Sequence, residues 1–150
     1  MGLEENISNV LKMIPVVEKN QKAVIGIDGL SRAGKTTLVK SIARQIQDEK
    51  IPFYIFHIDD YIVERKDRYH TGYEEWYEYY YLQWDINYLE KHLFKRLKES
   101  NELQLRTYDD HVDTQTLQTI KIPNTGLIII EGVLLQRKEW RHHYDFMISG

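Results

Sequence analysis

The stretch from Ala23 to Ile46 confines this chain to few folds. Ala23-Val24-Ile25-Gly26-Ile27 carries no polar residue at alternate positions, so it reads as a strand buried on both faces. Asp28 closes it. The run Gly29-Leu30-Ser31-Arg32-Ala33-Gly34-Lys35-Thr36-Thr37 follows, after which Leu38, Ile42 and Ile46 recur on one face of a helix. Strand, glycine-bearing loop and helix in this order form a P-loop, whose backbone N–H groups gather at the helix N-terminus to cradle phosphate oxygens. Gly29 and Gly34 let the backbone turn and approach where a Cβ would obstruct it. Lys35 is expected to reach the β- and γ-phosphates, the Thr36 hydroxyl to hold Mg²⁺ and Thr37 to add a phosphate contact, with Ser31, Arg32 and Ala33 completing the loop. The implied ligand is a nucleoside triphosphate, read here as ATP with Mg²⁺.

The rest of the chain repeats the alternation of buried strand and helix. Ile51 to Ile58 reads as a second strand ending at Asp59-Asp60, Leu127 to Ile130 as a third, and Tyr144 to Ile148 as a fourth. Ile7, Val10, Leu11 and Ile14 suit a short opening helix stopped by Pro15. A longer helical stripe runs through Leu82, Leu89, Leu93 and Leu97, with Asp85 as a cap inside it. Leu103–Tyr108 and Thr116–Ile122 alternate at period two and are expected to pair as a hairpin. Such a pattern predicts one domain over residues 1–150, an α/β three-layer P-loop NTPase sandwich with a mainly parallel sheet and a small β-hairpin. Residues 62–81 show the least regular pattern.

Composition removes several function classes. A net charge of -3 lacks the basic surplus of a general nucleic-acid binder, so no nucleic-acid partner is expected. The absence of cysteine excludes disulfides and thiolate metal sites. No apolar run approaches the length of a membrane span and the N-terminus lacks a basic signal-like start, so a cytoplasmic protein without a membrane partner is expected. The six histidines show no metal-ligand spacing, and the adjacency of His142 and His143 argues against their chelating one ion together. Oligomerisation is left open.

Parallel sheets bind ligands beyond the carboxyl ends of their strands, where Asp28, Asp59-Asp60 and Glu131 fall. Phosphoryl transfer to a hydroxyl needs a carboxylate that takes the proton and aims the oxygen, and one of Asp59 and Asp60 suits that role. The alternative is that both cap the following segment. Neighbours on a strand face opposite sides, so one of the two is expected to face the site. Leu127–Ile130 followed by Glu131 resembles a Walker B strand, with Glu in place of the usual Asp. The aromatic set Tyr73, Trp76, Tyr77, Tyr80 and Trp84 is read as an amphipathic segment packing on the sheet, ahead of a base-stacking platform. Arg65-Lys66-Asp67-Arg68 is either a solvated turn or a phosphate contact.

Taken in order, these segments resemble the uridine kinase and phosphoribulokinase family. The resemblance rests on the stretch Ile25 to Thr37, on Asp59-Asp60-Tyr61 after the second strand, on Tyr108-Asp109 of the hairpin and on Ile130-Glu131-Gly132-Val133-Leu134. It implies an ATP-dependent kinase acting on a small-molecule hydroxyl. In it Asp59, ahead of Asp60, is the catalytic base beside Lys35, Glu131 is the Walker B acid serving Mg²⁺ with Thr36, and the hairpin lies at the acceptor side. Tyr108 then walls the acceptor pocket, with Asp60, Tyr61 and His111 as further candidates. Tyr79-Tyr80-Tyr81 stands where that family has a Phe-Asp-His-Pro segment, and His111 is displaced from the family's hairpin histidine. The family continues past the strand near Tyr144 into an arginine-bearing lid and a last strand. A domain without that lid is expected to transfer slowly, or to act as a nucleotide-binding module.

Overall fold

The computed structural model describes residues 21–29, 32–48 and 50–149. The expected opening helix, Leu30, Ser31 and the side chains of Arg32 to Lys35 lie outside what is described. In chain order the elements are β1 (Lys22–Asp28), α1 (Arg32–Asp48), β2 (Phe53–His57) and a 3₁₀ turn (Ile58–Tyr61). Short helices α2 (Arg65–Arg68) and α3 (Glu75–Tyr77) follow, the latter running into a π turn (Glu78–Leu82). After α4 (Ile86–His92) and a 3₁₀ turn (Phe94–Arg96) come β3 (Glu102–Asp109), β4 (Thr114–Lys121), β5 (Gly126–Gly132), a 3₁₀ turn (Arg141–His143) and β6 (Phe146–Ser149).

Four strands pair in the order β2-β5-β1-β6, all parallel, while β3 and β4 form a separate antiparallel hairpin. Strand alternation divides the apolar residues between two layers. Ala23, Ile25, Ile27, Leu127 and Ile129 meet Leu38, Ile42 and Ile46 of α1 on one face. Val24, Ile128 and Ile130 meet Trp84, Leu89, Leu93, Leu97 and the hairpin residues Leu103 and Leu105 on the other. Both faces are covered, which is why β1 and β5 have no polar alternate positions.

The junction before β5 depends on one glycine. Gly126 has φ +120, and a Cβ there would lie 2.0 Å from the Pro52 carbonyl oxygen. That oxygen accepts from the Leu127 N–H at 3.0 Å, tying β5 to the start of β2. Gly126→Ala is therefore expected to cost about 3 kcal/mol of stability, read as a lowered urea midpoint with unchanged m-value.

Three expectations need correction. The stripe from Leu82 to Leu97 is not one helix: the Asp85 carboxylate accepts from the Tyr88 N–H at 3.1 Å and starts α4 there, and Leu93 ends it. Leu89, Leu93 and Leu97 are nevertheless all buried. β2 stops at His57, so Asp59 and Asp60 lie in a 3₁₀ turn and strand alternation does not sort them. The aromatic segment does not pack on the sheet as a face. Trp84 is 2% exposed, whereas Tyr73 and Trp76 are 59% and 61% exposed. α3 is too short to hold a continuous apolar stripe, so these rings stack on one another, Tyr73 on Tyr77 with centroids 4.4 Å apart.

Candidate functional site

The carboxyl ends of β1, β2 and β5 converge at the N-terminal end of α1. Gly29, with φ +80, turns the chain out of β1 toward that helix. β2 pairs with β5 so that His57 sits opposite Glu131, and the two side chains meet at 2.6 Å between Nδ1 and Oε1. Beyond His57 the 3₁₀ turn carries Asp59. This turn is anchored from below, because the buried Trp84 indole Nε1 donates to the Ile58 carbonyl at 3.0 Å.

A cavity of about 640 Å³ opens here, lined by Thr36, Val39, Lys40, Ile55, His57, Asp59 and Glu131. Thr36, Asp59 and Glu131, far apart in sequence, thus share one wall. Asp60, solvent-exposed as Asp59 is, does not line this cavity, and Tyr61 packs in the core against Phe56. The hydrogen bond His57 donates to Glu131 raises its pKa, against a smaller lowering by burial, and the charges of Glu131, Asp60 and Asp59 add to the rise. Partial burial raises Asp60 above the ordinary carboxylate range. The sequence did not single out His57. Its signal is the register between two parallel strands, which no local pattern encodes.

The hairpin brings a second group together. The Tyr108 hydroxyl donates to Asp113 Oδ1 at 2.7 Å and accepts from Arg68 Nη2 at 3.0 Å. Arg68 is buried; its Nε donates to the Val63 carbonyl at 2.9 Å and its Nη1 to the Tyr69 hydroxyl at 3.1 Å. The Arg65 N–H and then the Tyr108 hydroxyl lower the pKa of Asp113. Of the basic cluster, Arg68 turns inward while Arg65, Lys66 and Asp67 stay exposed. His111 does not join this group: its side chain is 91% exposed near the hairpin end, 3.8 Å from Asp110. A cleft of about 550 Å³ lies beside the group, lined in part by Arg68, Tyr69, Tyr73, Glu78 and Tyr79.

Away from these sites, His142 and His143 both approach Glu90 Oε2, at 3.8 and 3.3 Å from their Nε2 atoms. Adjacency therefore does not keep them apart, because the 3₁₀ turn aims both rings at α4. Burial lowers the pKa of His143. Among the described residues no helix is long and apolar enough to cross a membrane.

A parallel sheet in this order, with the glycine loop and helix directly after β1 and acids following β2 and ending β5, is an α/β P-loop NTPase fold. Residues 24–149 match the Phosphoribulokinase / Uridine kinase family, and the chain belongs to it. It is 32% identical over 133 residues to a uridine kinase of Staphylococcus epidermidis, covering 86% of this chain and 61% of that protein. It is likewise 34% identical over 125 residues to one of Cronobacter sakazakii, covering 79% and 56%. A solved structure described as a possible uridine kinase from Bacillus stearothermophilus matches with a TM-score of 0.86 at 47% identity, over 99% of this chain and 81% of that one. The chain spans about half to three fifths of the length of these curated relatives, 52% in the case of a Borrelia duttonii uridine kinase.

Proposed function

We propose that this chain carries out ATP-dependent phosphoryl transfer to a hydroxyl of a small molecule. The supporting observation is the single cavity in which Thr36, Asp59 and Glu131 meet beside the phosphate loop. Besides Lys40 and His57, whose Nδ1 is engaged by Glu131, its polar lining is the Thr36 hydroxyl and the Asp59 and Glu131 carboxylates, oxygen ligands that fit Mg²⁺ rather than a softer metal. Thr36 and Glu131 would hold the ion, which when bound neutralises charge shared between the β- and γ-phosphates. Lys35 and the loop amides bind the triphosphate. Asp59 accepts the proton of the acceptor hydroxyl and orients its oxygen for in-line attack.

The matched relatives are named for uridine, so uridine belongs in any test, alongside acceptors of other chemistry. Tyr108 is engaged by Arg68 and Asp113, and Tyr79 to Tyr81 supply no acid. An ADP-release assay with MgATP over nucleosides, glycerate-like, pantothenate-like and sugar-phosphate acceptors tests the reading. One class should stimulate ADP formation well above the acceptor-free rate. MgATP binding with no stimulation by any acceptor would instead identify a nucleotide-binding module.

Glu131→Gln separates the metal role from the phosphate role. It keeps the side-chain shape and removes the charge that meets His57 in the cavity also lined by Thr36. The Mg²⁺ concentration for half-maximal ADP release is expected to rise by about tenfold or more. An unchanged Mg²⁺ dependence would remove Glu131 from the metal site.

A further inference from the structure

Arg137 lies five positions beyond Gly132, in the segment that leads from β5 to the 3₁₀ turn before β6, and it is 5% exposed. Its Nε donates to the Leu134 carbonyl at 3.2 Å and its Nη1 to the Tyr80 carbonyl at 2.8 Å. The remaining nitrogen, Nη2, is buried and has no hydrogen-bond partner. The rings of Tyr80, Trp84 and Trp140 surround the guanidinium, with centroids 4.9, 5.6 and 4.7 Å from its central carbon. Among the described residues no carboxylate forms an ion pair with it. A buried cation with no ion-pair partner, sensing only the more distant charge of Glu139, and with an unmet donor is costly to hold, and aromatic faces repay only part of that cost. The Tyr144 hydroxyl is buried and has no hydrogen-bond partner among the described residues, and burial, ahead of the Asp28 charge, raises its pKa against a lowering by Arg137.

Arg137 lines a cleft of about 390 Å³ together with Asp28, Gly29, Tyr80, Val133 and Ser149. The cleft therefore opens at the first residue of the phosphate loop, at the carboxyl ends of β1 and β6. A planar guanidinium with an unused N–H edge is matched by an oxyanion. The Asp28 carboxylate on the same cleft is held through Oδ2 by the Leu135 N–H at 3.1 Å, which reduces its repulsion of such a group only in part and leaves the Arg137 guanidinium as the attractive charge. The triphosphate has its own donors in the loop amides and the α1 N-terminus, whereas Tyr80 and Val133 give this cleft the apolar walls that an organic molecule needs. We propose that Arg137 is a specificity-determining residue that pairs with a carboxylate or phosphate group carried by the acceptor. The proposal rests on the kinase reading above and narrows its acceptor to an anionic, hydroxyl-bearing small molecule.

Paired acceptors test it on the unaltered protein: glycerate against glycerol, ribose 5-phosphate against ribose, and pantothenate against its alcohol analogue. At least one anionic member should be phosphorylated with a KM about 10- to 100-fold below that of its neutral partner. Arg137→Gln should remove that advantage, Arg137→Lys should restore part of it, and the Kd for MgATP should stay within about twofold in both. Neutral members preferred or equal throughout would overturn the proposal. So would a variant that weakens MgATP while leaving acceptor KM unchanged, since the oxyanion would then belong to the nucleotide. Saturation-transfer NMR of the same pairs reads acceptor binding without turnover. If no acceptor yields ADP, the kinase reading fails, while anion-selective binding lost in Arg137→Gln would still support the site and its absence would overturn it.

Discussion

Asp59→Asn is expected to lower phosphoryl transfer by about 10²–10⁴-fold while leaving MgATP affinity within about twofold. The amide keeps the size and position of the side chain but cannot accept the hydroxyl proton. Asp59 lines the cavity shared with Thr36 and Glu131, so under the proposed mechanism the change acts where the acceptor oxygen would approach the γ-phosphate. Asp60→Asn is the internal control. That residue is one position away and equally exposed but does not line the cavity, so its loss should cost far less. Equal effects from the two variants would mean that the turn presents both carboxylates, and an unaffected Asp59→Asn enzyme would remove Asp59 as the base.

Trp84→Ala should produce the largest loss of stability among single changes near the site, about 3–5 kcal/mol. The indole is 2% exposed and packs edge-on to Trp140, with centroids 6.4 Å apart. It also holds the Ile58 carbonyl, one residue before Asp59. Trp84→Phe keeps most of the ring and deletes that hydrogen bond, so it should cost about 1–3 kcal/mol for the stranded carbonyl. Denaturant unfolding reads the stability term, and kcat on the folded Phe variant reads the displacement of the turn. A Phe variant with lowered stability but unchanged kcat would show that Trp84 supports the core without positioning Asp59.

The parts of this molecule legible in the sequence are those set by short-range pattern. β1 and β5 could be read because strands buried on both faces must be apolar at every position, and α1 because Leu38, Ile42 and Ile46 repeat at helical spacing. The hairpin was readable from period-two alternation. What escaped depends on residues brought together from afar. His57 meets Glu131 only through the register of β2 on β5, and Arg137 meets Tyr80 and shares a cleft with Asp28 only through the path of the chain after β5. The stripe from Leu82 to Leu97 misled because its burial is real while its backbone is interrupted at Asp85 and Leu93. The aromatic run misled for the opposite reason, since its residue types suit a core but its helix is too short to aim them.

The central claim is that a phosphoryl group leaves ATP and arrives on an acceptor hydroxyl. Incubation with MgATP labelled with ¹⁸O in the γ-phosphoryl group, followed by mass spectrometry of acceptor and phosphate, follows that group directly. The account predicts one labelled phosphoryl group on the acceptor and an equal amount of ADP, both formed about 10²–10⁴-fold more slowly in Asp59→Asn. Label recovered solely as inorganic phosphate, or no ADP with any acceptor at saturating MgATP, would contradict it.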